Sequence, residues 1–112
     1  MISKTYLKDG IPTINPQDIL TLADASIIDV RTSDEYSGEL GHIEAAQLVT
    51  LGPLLEDFLN IHDKKRPIIF VCRSGGRSAR ASQLAIELGF GIVFNMEGGM
   101  IKWNELGLPV KR

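Results

Sequence analysis

Ile68-Ile69-Phe70-Val71 is apolar at every position. Side chains along a strand alternate between two faces, so a strand with no polar position has to be covered on both. Pro67 bounds the run on one side and Cys72-Arg73-Ser74-Gly75-Gly76-Arg77-Ser78 on the other. Beyond that loop, Ala81, Leu84, Ala85 and Leu88 recur at one-face helical spacing, and Gly89 supplies a stop. A doubly buried strand that runs through a tight loop into an amphipathic helix is a building unit of parallel sheets with covering helices.

The rest of the chain continues the alternation. Asn15 is placed to cap a helix with Pro16 in its first turn. Ile27-Ile28-Asp29-Val30 reads as a short buried strand, and Thr32 to Glu35 has capping-box spacing for a brief helix through Tyr36. Gln47-Leu48-Val49 is a weaker strand, and Pro53 opens a helix bearing Leu54, Leu55, Phe58 and Leu59 that ends near Asn60. Ile92-Val93-Phe94 is another buried strand. Gly98-Gly99 turns into a last short helix with Met100, Ile101 and Trp103, which Gly107 and Pro109 end. The pattern predicts an α/β fold: one mainly parallel sheet of about five strands, helices on both faces and right-handed crossovers. At 112 residues a single domain over 1–112 is expected.

Composition removes several function classes. One cysteine excludes a disulfide framework and a cysteine-rich zinc site, and His42 and His62 are the only histidines, so neither a metal nor a cofactor is expected. A formal net charge of −2 argues against general binding of nucleic acid or anionic membrane. The longest apolar stretch, Ile68 to Cys72, is far too short to span a bilayer, and Met1-Ile2-Ser3-Lys4 lacks the apolar run of a leader, so a cytoplasmic protein is expected.

The charge is unevenly spread. Eleven acids and three bases precede Lys64, whereas Lys64, Lys65, Arg66, Arg73, Arg77 and Arg80 follow with no acid through Ile86. Lys64-Lys65-Arg66 reads as a solvated basic face. Arg73 and Arg77 flank the lone cysteine. In open α/β sheets ligands bind beyond the carboxyl ends of the strands. Cys72 lies just past one strand and Arg31 just past another, which puts both on that edge. Gly75 and Gly76 permit positive φ, so successive N–H groups can point inward, and the following helix adds unpaired donors and a partial positive charge. A lone cysteine is often only a small buried hydrophobe. A sulfur at the mouth of such a cradle should instead have a lowered pKa and react as a thiolate.

The loop Cys72-Arg73-Ser74-Gly75-Gly76-Arg77-Ser78 resembles the active-site loop of single-domain rhodanese-like sulfurtransferases. Three further pieces match in the family's order: Ile28-Asp29-Val30-Arg31 with Asp34-Glu35-Tyr36, then Gly41-His42-Ile43, then Glu97-Gly98-Gly99 with Trp103. The chain departs from the family where Pro-Gly-Ala often follows Gly-His-Ile, and Glu44-Ala45-Ala46 stands instead. The resemblance implies that Cys72 thiolate takes the outer sulfur of a donor such as thiosulfate, releases sulfite and becomes a persulfide. That sulfur then passes to cyanide or a thiol. It implies a small anionic donor and a thiol acceptor as partners, with sulfur-relay proteins as further ones. Arg73 to Ser78 would form the substrate-binding loop, with Arg73 and Arg77 attracting the donor.

Two other readings use the same residues. A cysteine phosphatase or arsenate reductase places five residues between its cysteine and an essential arginine; here four separate Cys72 from Arg77, and Ser78 occupies the position such an enzyme needs. A persulfide carrier, whose task is docking to donor and acceptor proteins, would look the same in sequence. Among supporting residues, Arg31 is expected to pair with Asp34 or Glu35, and Asp29 to hydrogen-bond loop backbone. His42 reads as a satisfied structural histidine and Trp103 as a core lid. Ser78 reads as an N-cap or as a hydroxyl donor to the sulfur.

Overall fold

The structure, a computed structural model, describes residues 5–112; the Met1–Lys4 stretch read above for a leader lies outside the described residues. Strand β5 (Ile68–Val71) has all four side chains buried. It lies between β3 (Ser26–Asp29) and β6 (Val93–Met96), parallel to both. Its two faces feed two cores. Ile68 and Phe70 join Ile28, Leu55, Leu59, Ala81 and Ala85. Ile69 and Val71 join Ile14, Ile19, Ile27, Met96, Met100 and Trp103 on the other side. The first core is roofed by α2 (Pro53–Ile61) and α3 (Gly76–Glu87), the second by a 3-10 helix (Pro16–Thr21) and α4 (Gly99–Glu105). Burying one such aliphatic or aromatic side chain contributes about 1.5–3 kcal/mol, so both faces of β5 hold the layers together.

The expected mainly parallel sheet is present with six strands, β1 (Thr5–Lys8), β2 (Ile11–Ile14), β3, β4 (Gln47–Leu48), β5 and β6, in the order β1-β2-β6-β5-β3-β4. Four of them are the strands named from sequence, and an N-terminal hairpin adds two: β1 pairs antiparallel with β2, and β2 runs parallel to β6. Asp9 and Gly10 turn it with φ of 52° and 80°, the left-handed pair that a two-residue hairpin demands. Strand β4 (Gln47–Leu48) closes the other margin parallel to β3.

Local signals translate into structure with some changes. Helix α1 (Ser33–Tyr36) carries the full Thr32–Glu35 capping box. Asn15 sits at the N-cap position, but the helix behind it is 3-10 and its side chain makes no capping bond; Oδ1 accepts from the Tyr6 hydroxyl at 3.1 Å instead. In α2, Leu55 and Leu59 are buried whereas Leu54 is 67% exposed. Glu44-Ala45-Ala46 still turns: Ala46 N–H donates to Ile43 carbonyl at 2.9 Å without the proline and glycine of the resembled pattern. Among the described residues no helix is long and apolar enough to cross a membrane.

Candidate active site around Cys72

Cys72 is the first residue past β5, and α3 begins four positions later at Gly76. The loop between them closes through Gly75, whose φ of 112° is in the left-handed region. Gly76 has no positive φ and simply starts the helix, so one glycine, not two, supplies the unusual backbone. The Gly75 N–H donates to Cys72 Sγ at 3.0 Å, and the Ser78 hydroxyl lies 3.3 Å from the same sulfur. Ser78 is thus the third residue of α3, with Gly75 the N-cap. Burial pushes the Cys72 thiol up, but the Ser78 hydroxyl and the N–H groups of Ser78, Gly75 and Ser74 outweigh it, leaving a net shift down. The sulfur is buried yet biased toward its anion.

The carbonyls on the outside of the loop are held separately. Met100 N–H donates to Cys72 O at 2.8 Å, and Ile101 N–H to Arg73 O at 3.0 Å. These are donors that the first turn of α4 would otherwise leave unpaired. The approach is close enough that a Cβ on Gly99 would stand 2.5 Å from Cys72 O, Arg73 C and Arg73 O. With its carbonyls fastened to α4, the loop turns N–H groups toward the sulfur. Asn95 in β6, absent from the residues singled out in the sequence, completes the frame. Its Nδ2 donates to Gly75 O at 3.2 Å, and its Oδ1 accepts from the Ser78 hydroxyl. The signal for it was a buried amide in an otherwise apolar strand, Val93-Phe94-Asn95-Met96.

The arginines divide differently from expectation. Arg77 does not stand free for an anion: Nη1 and Nη2 each lie 2.7 Å from the Glu35 carboxylate. That guanidinium, with lesser help from Thr32 N–H and hydroxyl, outweighs burial and holds the Glu35 carboxyl at about 2. Arg31 pairs with neither Asp34 nor Glu35. It is buried and binds Asp29 through Nε at 2.9 and 3.1 Å and Nη2 at 2.8 Å, with a further bond to Gly41 O at 2.8 Å. Asp34 and Glu35 sit on α1, whereas Asp29 ends the strand that leads directly into Arg31. Asp29 also accepts from Arg31 N–H at 3.1 Å, which is the loop-backbone support expected of it.

His42 Nδ1 donates to Tyr36 O at 2.8 Å, and its ring stacks on Tyr36 at 3.7 Å. Trp103 is buried, with Nε1 bonded to Pro109 O at 2.9 Å. In the basic run, Lys64 lies over the Phe90 ring at 5.0 Å and Arg66 donates to Asp24 O at 3.2 Å. Arg73 remains. Among the described residues it enters no ion pair, and it borders a cavity of about 300 Å³ together with Arg31, Asp34, Glu35, Glu39 and Leu40.

Comparison with known proteins places this arrangement. The Rhodanese-like domain family matches residues 6–106. A tRNA uridine(34) hydroxylase of Yersinia enterocolitica is 37% identical over 98 residues, covering 79% of this chain and 27% of the hydroxylase, so the chain spans about a quarter of that relative's length. Among solved structures, a rhodanese-related protein from Thermoplasma volcanium superposes with TM-score 0.75 at 28% identity, covering 87% of this chain and 94% of that one. A rhodanese-like domain protein from Staphylococcus aureus gives 0.71 at 30% identity, covering 89% and 98%. The matched span takes in the sheet, the sulfur-bearing loop and the start of α4 that fastens it, and the chain belongs to the rhodanese-like domain family.

Proposed function

We propose that the chain is a sulfurtransferase that carries sulfane sulfur on Cys72. The observation that supports this most directly is a buried sulfur facing the Gly75 N–H at 3.0 Å and the Ser78 hydroxyl at 3.3 Å, with its thiol shifted toward ionisation. The thiolate attacks the outer sulfur of thiosulfate; the bond to the sulfonate sulfur breaks and sulfite leaves with the electron pair. Cys72 is then a persulfide anion, and the same N–H groups stabilise its charge. An acceptor nucleophile takes the outer sulfur and returns the Cys72 thiolate. No proton moves if cyanide is the acceptor, so His42, occupied by Tyr36, is not needed as a base. Four residues between Cys72 and Arg77, with Arg77 clasped by Glu35, do not offer the free arginine that phosphoryl transfer requires.

The test is intact-mass measurement. Thiosulfate should add the mass of one sulfur atom and cyanide should remove it, whereas Cys72→Ser should show neither change. Sulfur transfer that persists in Cys72→Ser ends the mechanism.

A second role on the same chemistry, a persulfide carrier docking to other proteins, is favoured by the charges around Arg73. Asp34, Glu35 and Glu39 share the cavity with Arg73, and Arg77 is neutralised by Glu35. That mixed lining suits a thiol or protein persulfide better than a free dianion. Poor saturation with thiosulfate but fast exchange with a persulfidated protein would identify this role.

A further inference from the structure

The Ser78 hydroxyl has one proton and three acceptors around it: Cys72 Sγ at 3.3 Å, Gly75 O at 3.3 Å and Asn95 Oδ1. An amide oxygen carries no hydrogen, so Ser78 is the donor in its contact with Asn95. The other end of the amide settles which atom faces Ser78, because Asn95 Nδ2 must donate to Gly75 O at 3.2 Å. Gly75 O already receives that bond and the Ala79 N–H at 3.1 Å, so it does not need the hydroxyl. The contest for the proton is therefore between Asn95 and the sulfur. Ser78, Asn95 and Cys72 are all buried, so the loser's claim is not met by bulk water.

We propose that Asn95 is a positioning residue that holds the Ser78 proton while Cys72 is a neutral thiol and yields it to the sulfur when Cys72 is a thiolate. In the thiol state the Ser78 lone pairs face the sulfur and accept its S–H, while the hydroxyl donates to Asn95. On ionisation the thiol proton leaves to solvent, the hydroxyl rotates about Cβ–Oγ, and its own proton turns to the anion. Asn95 Oδ1 then loses a donor. That loss works against the thiolate, so Asn95 restrains an ionisation that the N–H groups promote.

The charged groups on neighbouring elements make no bond to the contested hydroxyl, although the Arg77 charge also acts on Cys72. Arg77 of α3 is clasped by Glu35 of α1, Arg31 binds Asp29 at the end of β3, Arg73 follows in the chain, and Glu97 beyond β6 pairs with Lys8. Among the described residues none of them hydrogen-bonds to Ser78 or Asn95.

The inference rests on the reading that Cys72 is the reacting thiol, and its test does not use sulfur transfer. Cys72 is the sole cysteine, so the pH profile of its alkylation by iodoacetamide reports its ionisation directly. Removing the competing acceptor with Asn95→Leu should lower the midpoint by roughly 0.5–1 pH unit, the equivalent of one neutral hydrogen bond. Ser78→Ala should raise it. In the Ser78→Ala background, Asn95→Leu should produce no further shift, because Asn95 acts through Ser78. A midpoint that rises or stays put in Asn95→Leu overturns the proposal, and so does an equal fall in the Ser78→Ala background. If Asn95→Leu does not fold, Asn95→Val, smaller and suited to a strand, is held to the same outcomes. Protein that shows these shifts but gains no sulfur on Cys72 from either thiosulfate or a persulfidated protein would refute the sulfur-transfer reading and leave this one standing.

Discussion

Gly99→Ala should damage the sulfur site from outside it. The new Cβ would stand 2.5 Å from Cys72 O, Arg73 C and Arg73 O, all backbone atoms that cannot swing aside. Gly99 also has φ of 59°, where an L-residue costs about 1–2 kcal/mol. To relieve the contact, α4 must draw back from the loop, which lengthens the bonds from Met100 N–H and Ile101 N–H to Cys72 O and Arg73 O. Each such bond is worth about 0.5–1.5 kcal/mol. The expected loss is therefore about 2–5 kcal/mol. Gly107→Ala is the control, since Gly107 has a similar φ of 71° but open space where its Cβ would go, so it meets the backbone cost alone. Urea midpoints with a common m-value give both stabilities, and their difference isolates the contact at Gly99. The alkylation rate of Cys72 should fall in Gly99→Ala and stay unchanged in Gly107→Ala, because only the first moves the N–H groups at the sulfur. Equal stability losses in the two variants, with equal thiol reactivity, would refute the argument that α4 holds the loop in shape.

Glu35→Gln should weaken the protein by about 1 kcal/mol near neutrality, a modest figure because the Glu35 and Arg77 side chains are 28% and 37% exposed. The Glu35 carboxyl is at about 2 in the fold against an ordinary 4.5, so its contribution is present above 4.5 and fades as pH falls toward 2. Denaturation at several pH values should show the two proteins converging over that window; a constant gap would break the link to this carboxylate. Arg73→Ala should raise the thiosulfate KM several-fold, with the difference shrinking at high salt, because Arg73 is the loop arginine with no ion pair among the described residues. Arg77→Ala should cost stability through Glu35 more than it costs donor affinity, and steady-state kinetics beside thermal melts separates the two effects.

What could be read beforehand follows from how locally each signal acts. The unit β5–loop–α3 was legible because four consecutive apolar residues and one-face helical spacing leave few alternatives. The N-terminal hairpin is poorly marked in the sequence although Asp9-Gly10 is a hairpin turn signal. Its strand β1 is largely exposed, so no hydrophobic alternation marks it, and Pro12 argues against a strand. Pairing of β2 with β6 runs only over Thr13 and Ile14, beyond that proline. Arg31 takes Asp29, two positions back, rather than Asp34 or Glu35, and Glu35 is engaged by Thr32 and by Arg77, which is 42 positions away. Spacing cannot reveal a partner that only the closed sheet brings near. Asn95 escaped for a related reason: its value lies in what it touches across the sheet, and its strand looked complete at Phe94.

The margins of the sheet bear on how copies of this protein meet. An open sheet presents rows of unpaired backbone groups at its edges, and a long flat edge invites another chain to extend it. Here one margin is β4, only two residues long, which leaves too short a ladder for an incoming strand to register on. The other margin is β1, where Lys8 is tied to Glu97 at 2.8 Å and Tyr6 to Asn15 at 3.1 Å. A charged residue and anchored side chains on that edge oppose the close approach that backbone pairing needs. Among the described residues an incoming strand therefore meets only two residues of backbone at β4 and four at β1, the latter beside a charged residue and anchored side chains.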